Sequence, residues 1–368
     1  MSELRELSPG RLAWLRFRRH RLAMIAAGVL VVLYLLAMFC EFMSPYTPQQ
    51  RNARAINAPP MDIRFFDAEG QFHLRPFVYD LELTINPDTW MREYEENTSI
   101  AYPIRFFARG EPYEFWGLFE ADRHLFSVDP DGSGYIHWFG TDSLGRDMYS
   151  RVLYGARVSL SIGVVGVGLT LFLGVLLGGF AGYLGGMFDS AVQRMTEVLQ
   201  SIPTLPLWMA LSAALPAAWS PITTYFGVTI ILSLFGWTTL ARQVRGRFLA
   251  MREEDFVIAA RLIGANDTRV IFRHMLPSFT SHIITTATLA VPAMILGETA
   301  LSFLGIGLRA PVVSWGVLLQ QAQNYQVIVM TPWLLLPGAF IVITVIAFNL
   351  LGDGLRDAAD PYSSLREQ

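Results

Sequence analysis

Few side chains in this 368-residue chain are placed to do chemistry, and the most conspicuous is one acid, Glu298, inside an otherwise apolar run from Ser281 to Ile306. A carboxylate in such a run handles a cation or proton, or it is paired within the protein, because a bare charge in hydrocarbon is costly. A proton relay needs further acids along its path, and no other clear apolar run carries one. A structural pairing, or a position near the outer surface, explains the same residue, and both readings stay open. The stretch Gly140-Thr141-Asp142-Ser143-Leu144-Gly145-Arg146-Asp147 has the look of an anion- or metal-binding loop, but reads first as a structural turn and cap leading into an interfacial helix. Asp129-Pro130-Asp131-Gly132-Ser133 opens like a calcium loop, but Gly140 stands where the closing glutamate would be, so it reads as an Asp-Gly turn. The histidines (His20, His73, His124, His137, His274 and His282) include no pair at metal-ligand spacing. Only His282, at a run boundary, could join a serine in hydrolytic chemistry, against a reading with no enzyme at all. All 28 basic residues are arginine. Without lysine there is no P-loop, no Schiff base and no Ser-x-x-Lys nucleophile. The single cysteine, Cys40, excludes an intrachain disulfide.

One stretch has a shape rather than a reactive group. Between Glu254 and Pro277 the periodicity predicts two short amphipathic helices, with Gly264 ending the first and Asp267 capping the second. Small residues followed by a sharp glycine turn make a compact knob, suited to a partner's groove. A plain basic loop on the inner side of a membrane is the other reading.

The elements that must carry these residues are membrane helices. Hydrophobic residues make up 52% and charged residues 16%, against about 25% charge in ordinary soluble domains. The net charge of −3 argues against a nucleic-acid partner. A bilayer core needs about 20 apolar residues of helix. Six runs qualify, near 22–40, 158–184, 191–214, 223–240, 281–306 and 330–351; the third holds Arg194, Glu197 and Pro203 and is the least clean, and Pro292 predicts a kink in the fifth. Arg16, Arg18, Arg19 and Arg21 hold the N-terminus in the cytoplasm. Six crossings then return the C-terminus inside and place 242–277, with seven arginines against four acids, on the same face. The segments expected are a cytoplasmic start (1–21), a first transmembrane helix (22–43), an external insertion (44–139), a five-helix core with an inner loop (140–352 and, within it, 242–277), and a cytoplasmic tail (353–368). The insertion carries eight arginines against fifteen acids and is rich in aromatics, so it reads as a folded α+β module. Strands are expected over 77–83, 102–107 and 114–119, and a short helix over 87–96.

With these residues in view, the chain resembles the permease subunits of binding-protein-dependent ABC importers, in the oligopeptide/dipeptide/nickel branch. That family's inner loop reads Glu-Ala-Ala, three residues, Gly, nine residues, Ile-x-Leu-Pro. Here Ile258-Ala259-Ala260, Gly264 and His274-Met275-Leu276-Pro277 stand at that spacing, with Ile258 for the glutamate and His274 for the isoleucine. The stretch from Phe139 to Leu160, Leu301 to Gly307 with Ser314-Trp315-Gly316, the ending Leu351 to Pro361, and Arg16-Phe17-Arg18-Arg19 are similar to the branch as well. Nothing is carried over to 44–139. The resemblance implies an all-α polytopic inner-membrane subunit of six helices, without an ATPase site of its own. It implies a second, similar permease, two ATPase subunits that hold ATP-Mg and dock on the loop, and an extracytoplasmic solute-binding protein. Peptides are the first expectation for the solute, with oligosaccharide or nickel as alternatives; a membrane enzyme, a channel and an exporter are the rival classes. The external module is expected to widen the docking surface for the binding protein.

Overall fold

The computed structural model describes residues 9–85, 87, 92–128 and 134–359. The described residues begin with helices α1 (Pro9–Arg19), α2 (Arg21–Met38) and α3 (Cys40–Met43). Strands β1 (Arg64–Phe66), β2 (Phe72–Ile85), β3 (Arg92–Phe106), β4 (Arg109–Phe115), β5 (Phe119–Arg123) and β6 (Phe126–Val128) follow. Then come α4 (Met148–Leu184), α5 (Gly186–Ser201), α6 (Thr204–Ala213), α7 (Pro221–Met251), α8 (Asp255–Leu262) and α9 (Asp267–Arg269). After a π-helical turn at Val270–Met275 the chain continues as α10 (Leu276–Phe303), α11 (Trp315–Leu319), α12 (Tyr325–Met330) and α13 (Leu336–Ala359). Among the described residues, five helical stretches are long and apolar enough to cross a membrane: Arg21–Met38, Met148–Leu184, Pro221–Met251, Asp267–Phe303 and Pro332–Ala359.

The expected third run is not one helix. It breaks at Ile202 and Pro203 into α5 and the ten-residue α6. A residue before proline is pushed out of the α region, and Ile202 is extended, with ψ at 130°. Arg194 and Glu197 are exposed and pair with one another at 3.0 Å on α5.

Two compact units make up the chain. The first comprises residues 1–32, 161–308 and 341–368. Its tightest seam is between α4 and α7, where Gly174, Gly178 and Gly182 repeat every fourth residue on one face. A Cβ at Gly182 would lie 2.6 Å from the Arg245 carbonyl, and one at Gly178 would strike that of Ala241. Small residues at this spacing let helix backbones touch where lipid supplies no hydrophobic drive. Asp189 on α5 takes both arms of the Arg245 guanidinium on α7, joining a third helix to the seam. A cluster of Tyr183, Val244, Phe248, Met251, Val257, Ala260, Val270, Ile271 and Met275 fills the end of this unit that carries α8 and α9.

The second unit comprises 33–160 and 309–340 and holds the strands β1 to β6. Its sheet has the order β1-β2-β3-β6, antiparallel throughout, with β4 and β5 as a separate hairpin. Val78, Leu81, Ile104, Phe126 and Val128 from the sheet pack with Cys40, Ala58, Ile136 and Leu153 into one core. The module is β-structured, which corrects two expectations. No helix forms over 92–96, which are strand β3; the remaining members of the 87–96 stretch lie outside the described residues except Pro87, which is in a turn. Cross-strand pairs such as Leu83 with Tyr94 override the helix-favouring run of glutamates. Nor is 114–119 one strand: β4 ends at Phe115 and β5 starts at Phe119, with a turn between them. The Asp129–Ser133 turn lies outside the described residues.

Candidate functional site

The loop from Asp255 to Pro277 is built from two short helices clamped onto longer ones. Helix α8 ends in a Schellman arrangement: Gly264 N–H donates to the Arg261 carbonyl (2.9 Å) and Ala265 N–H to that of Ala260 (3.1 Å). Gly264 has φ +85°, the left-handed conformation that favours glycine at this position. The cap of α9 is one residue earlier than expected. Asn266, not Asp267, accepts the Arg269 N–H at 2.9 Å, because Asn266 holds the extended backbone a cap requires. Asp267 is freed for another task. The Tyr183 hydroxyl, at the end of α4, donates to Asp267 Oδ1 (2.8 Å) and accepts from Arg261 Nε (3.0 Å). The Arg261 guanidinium also lies over the Tyr183 ring, 4.6 Å from its centroid. One tyrosine therefore holds both short helices.

The faces of the loop divide cleanly. Val257 and Ala260 turn inward to the cluster with Phe248 and Met275, and Leu276 packs at its edge. Ile258 and Ala259 face outward, and His274 is half-buried. Leu262 and Ile263 are 82% and 83% exposed, an apolar tip on the glycine turn. Pro277 explains the π-helical turn before it. Proline has no N–H and crowds the carbonyl four residues back, that of Arg273, and the wider turn at Val270–Met275, with Leu276 N–H bonded to the Ile271 carbonyl, takes up the misfit. The chain thus passes from the loop into α10 without a break.

The stretch before α4, from Gly140 to Asp147, is a knot of polar bonds inside the second unit. Gly140 and Gly145 both have positive φ. Thr141 Oγ1 accepts from Ala58 N–H (2.8 Å), and Trp333 Nε1 donates to the Thr141 carbonyl (2.8 Å). The buried Asp142 accepts from the N–H groups of Leu144 and Arg146, each at 2.9 Å, and from the guanidiniums of Arg146 and Arg151. Burial works to raise its carboxyl, but the two arginines and the backbone bonds outweigh burial and hold it below the usual carboxylate range. Asp147 caps α4, accepting Ser150 N–H at 2.7 Å, and its other oxygen lies 3.0 Å from His137 Nδ1. Both carboxylates spend their oxygens within the protein, the geometry of a turn and cap. A cavity of about 960 Å³ in the same unit borders Tyr46, Asn52, Arg109, His137 and Asp147. No group of three or more metal-ligating side chains occurs among the described residues.

Glu298 is fully buried within the first unit. The Ser302 hydroxyl donates to its Oε1 at 2.7 Å, and Ser302 Oγ in turn accepts Leu308 N–H at 3.0 Å. The acid therefore anchors the turn that closes α10. His282 stacks on Phe279 one turn away on the same helix. Sequence reasoning did not single out Tyr183, Asn266 or the Asp189–Arg245 pair. It also missed a node in which Arg157 on α4 pairs with Glu41 and bonds the Ala37 carbonyl. Only Asn266, an Asx residue ahead of a helix, carried a local signal.

Residues 174–363 match the profile of a family described as binding-protein-dependent transport system inner membrane component. Residues 8–60 match the N-terminal TM domain of oligopeptide transport permease C. The oligopeptide transport system permease protein OppC of Bacillus subtilis (strain 168) is 39% identical over 226 residues, 61% of this chain and 72% of the relative. The dipeptide transport system permease protein DppC of the same organism is 42% identical over 227 residues, 61% and 68%. The glutathione transport system permease protein GsiD of Pectobacterium atrosepticum is 37% identical over 251 residues, 68% and 79%.

Proposed function

Because this chain belongs to the family of binding-protein-dependent transport system inner membrane components, we propose that it forms half of a translocation path, with a second permease completing it, for peptides delivered by a binding protein. It is a multi-pass transport subunit and not an enzyme; the ATPase resides on separate subunits. Those subunits hold ATP and its Mg²⁺. The names of the relatives carry oligopeptide, dipeptide and glutathione, all peptides by chemistry, and this supports peptides as the solute.

The observation that carries the reading is the 255–277 loop. Its apolar tip, Leu262 and Ile263, offers a knob to an ATPase groove, while Val257, Ala260, Val270 and Ile271 root the knob in the ends of α4 and α7. A rooted knob passes force to α10 through the unbroken segment Asp267–Phe303. ATP-driven closure of the ATPases then rocks the bundle between outward and inward access. Six crossings result if the α5–α6 pair serves as one, which places both termini and the loop in the cytoplasm, the module on 44–139 outside, and Gly140–Asp147 at the external mouth. There the module's acidic, aromatic surface widens the seat for the binding protein. Proteoliposomes holding this chain, a second permease, the ATPases and the binding protein should accumulate labelled oligopeptide only with ATP. Uptake of nickel or an oligosaccharide, but not of peptide, would refute the substrate assignment.

A further inference from the structure

The external hairpin of β4 and β5 has a tip that its sequence makes expensive. Trp116 and Gly117 have φ values of +53° and +67° in succession. That backbone is normally given to Asn-Gly, and a bulky aromatic with positive φ is strained. The strain is held by contacts at one place. Trp116 Nε1 donates to the Met38 carbonyl at 2.9 Å, and Trp116 N–H donates to Glu41 Oε1 at 3.3 Å. The Arg157 guanidinium lies 4.2 Å over the Trp116 ring while pairing with Glu41. Phe115 meets Phe39 at 6.0 Å and stacks on Phe119 at 5.3 Å. Apart from Arg157 on α4, the anchors Met38, Phe39 and Glu41 lie on the last turn of α2 or just beyond it, so the tip sits at the depth where that helix ends.

What the tip presents outward is apolar. Leu118 is 80% and Phe119 57% exposed, beside exposed Met38 and Phe39. This patch continues the exposed face of α2 at Leu35, so whatever covers the end of that helix covers the tip as well. The charges at this level are neutralised, since Arg157 and Glu41 pair with each other. One rung behind the tip, Glu114 lies directly across from Glu120. Two opposed carboxylates stay in water, which limits insertion to the tip. Tryptophan and an ion pair at the boundary, with leucine and phenylalanine beyond, match the chemistry of a membrane interface.

We infer that the β4–β5 tip is a shallow membrane anchor, with Leu118 and Phe119 lodged in acyl chains of the outer leaflet beside the end of α2. It fixes the external module to the bilayer and is distinct from any seat for a binding protein. The inference rests on reading α2 as a membrane span, and the test separates the two. Cys40, the only cysteine of this chain, is buried, so an introduced thiol is labelled selectively when the partner subunits are made without cysteine. An environment-sensitive fluorophore is placed in the assembled transporter at Leu118→Cys, at Leu35→Cys, or at Leu74→Cys, 87% exposed on β2. The proteoliposomes contain phosphatidylcholine with a nitroxide near the headgroup end of the acyl chain. Strong lipid quenching at positions 118 and 35, with a blue-shifted emission, and none at 74 is expected. Quenching at 35 but at 118 only by aqueous iodide overturns the anchor and leaves the span intact. Quenching at 118 by neither agent means protein covers the tip and also overturns it. Equal lipid quenching at 74 removes the specificity claimed. No quenching at 35 overturns the span reading and the anchor with it.

Discussion

Tyr183→Phe removes one oxygen and tests whether a single hydroxyl holds the 255–277 loop. The oxygen donates to Asp267 at 2.8 Å and accepts from Arg261 at 3.0 Å. Both bonds involve charged side chains, yet Arg261 and Asp267 are exposed, so each is taken at about 1 kcal/mol, within the range for a net intramolecular bond. Together they contribute about 2 kcal/mol to closing α8 and α9 onto the end of α4. The phenylalanine ring keeps the stacking under Arg261, so that interaction cancels in the comparison. A local opening equilibrium shifted by about 2 kcal/mol changes by roughly 30-fold. The assay is amide hydrogen exchange of residues 255–269 in the assembled transporter, wild type against Tyr183→Phe. Exchange there should quicken by that order, with α7 and α13 unchanged. ATP-driven uptake should fall while ATP hydrolysis continues, because the knob is loosened rather than lost. Exchange within twofold of wild type would show that the hydrophobic cluster alone holds the loop, and the reasoning from the hydroxyl would fail.

Gly264→Val forces a β-branched residue to φ +85°, at a cost of about 1–2 kcal/mol. Ala260→Trp overfills a buried site, at about 1–3 kcal/mol. Both should reach the membrane yet lose uptake, checked by membrane yield against transport. Asp142→Asn should destabilise by about 3–5 kcal/mol, since it strips a buried arginine of its partner. Because the Asp142 carboxyl is held below its unfolded value near 4, its contribution is full above that pH and fades as pH falls through the folded value. Thermal melts at neutral and acid pH should show that fading in wild type and not in the variant. Glu298→Gln should keep melting temperature and the pH profile of uptake, because an amide oxygen still accepts from Ser302; a shifted profile would mean that the acid handles protons.

The parts of this fold that were legible are those with a local cause. Apolar runs declare themselves by length, and Gly264 declared its turn because few other residues take its backbone angle. The cap was read at Asp267 rather than Asn266 because neighbouring Asx residues offer the same oxygen, and only the backbone decides between them. The stretch 87–96 read as helix from a proline and a run of glutamates, while long-range pairing with β2 made 92–96 strand. The hairpin tip was invisible because Trp-Gly is not a usual turn pair; its support comes from Met38, Glu41 and Arg157, far away in sequence. The Tyr183 clasp was hidden in the same way, since Arg261 lies 78 residues from its partner.

We propose Leu262 and Ile263 as the knob received by an ATPase subunit. Cysteine cross-linking tests it most directly. Ile263→Cys in this chain would be combined with single cysteines lining the groove of the co-purified ATPase, and the assembled transporter oxidised in native membranes. A disulfide adduct of the two subunits, which forms at Ile263→Cys but not at Leu74→Cys and responds to ATP, is the predicted result. Absence of that adduct from a transporter that still couples ATP to uptake would contradict the account.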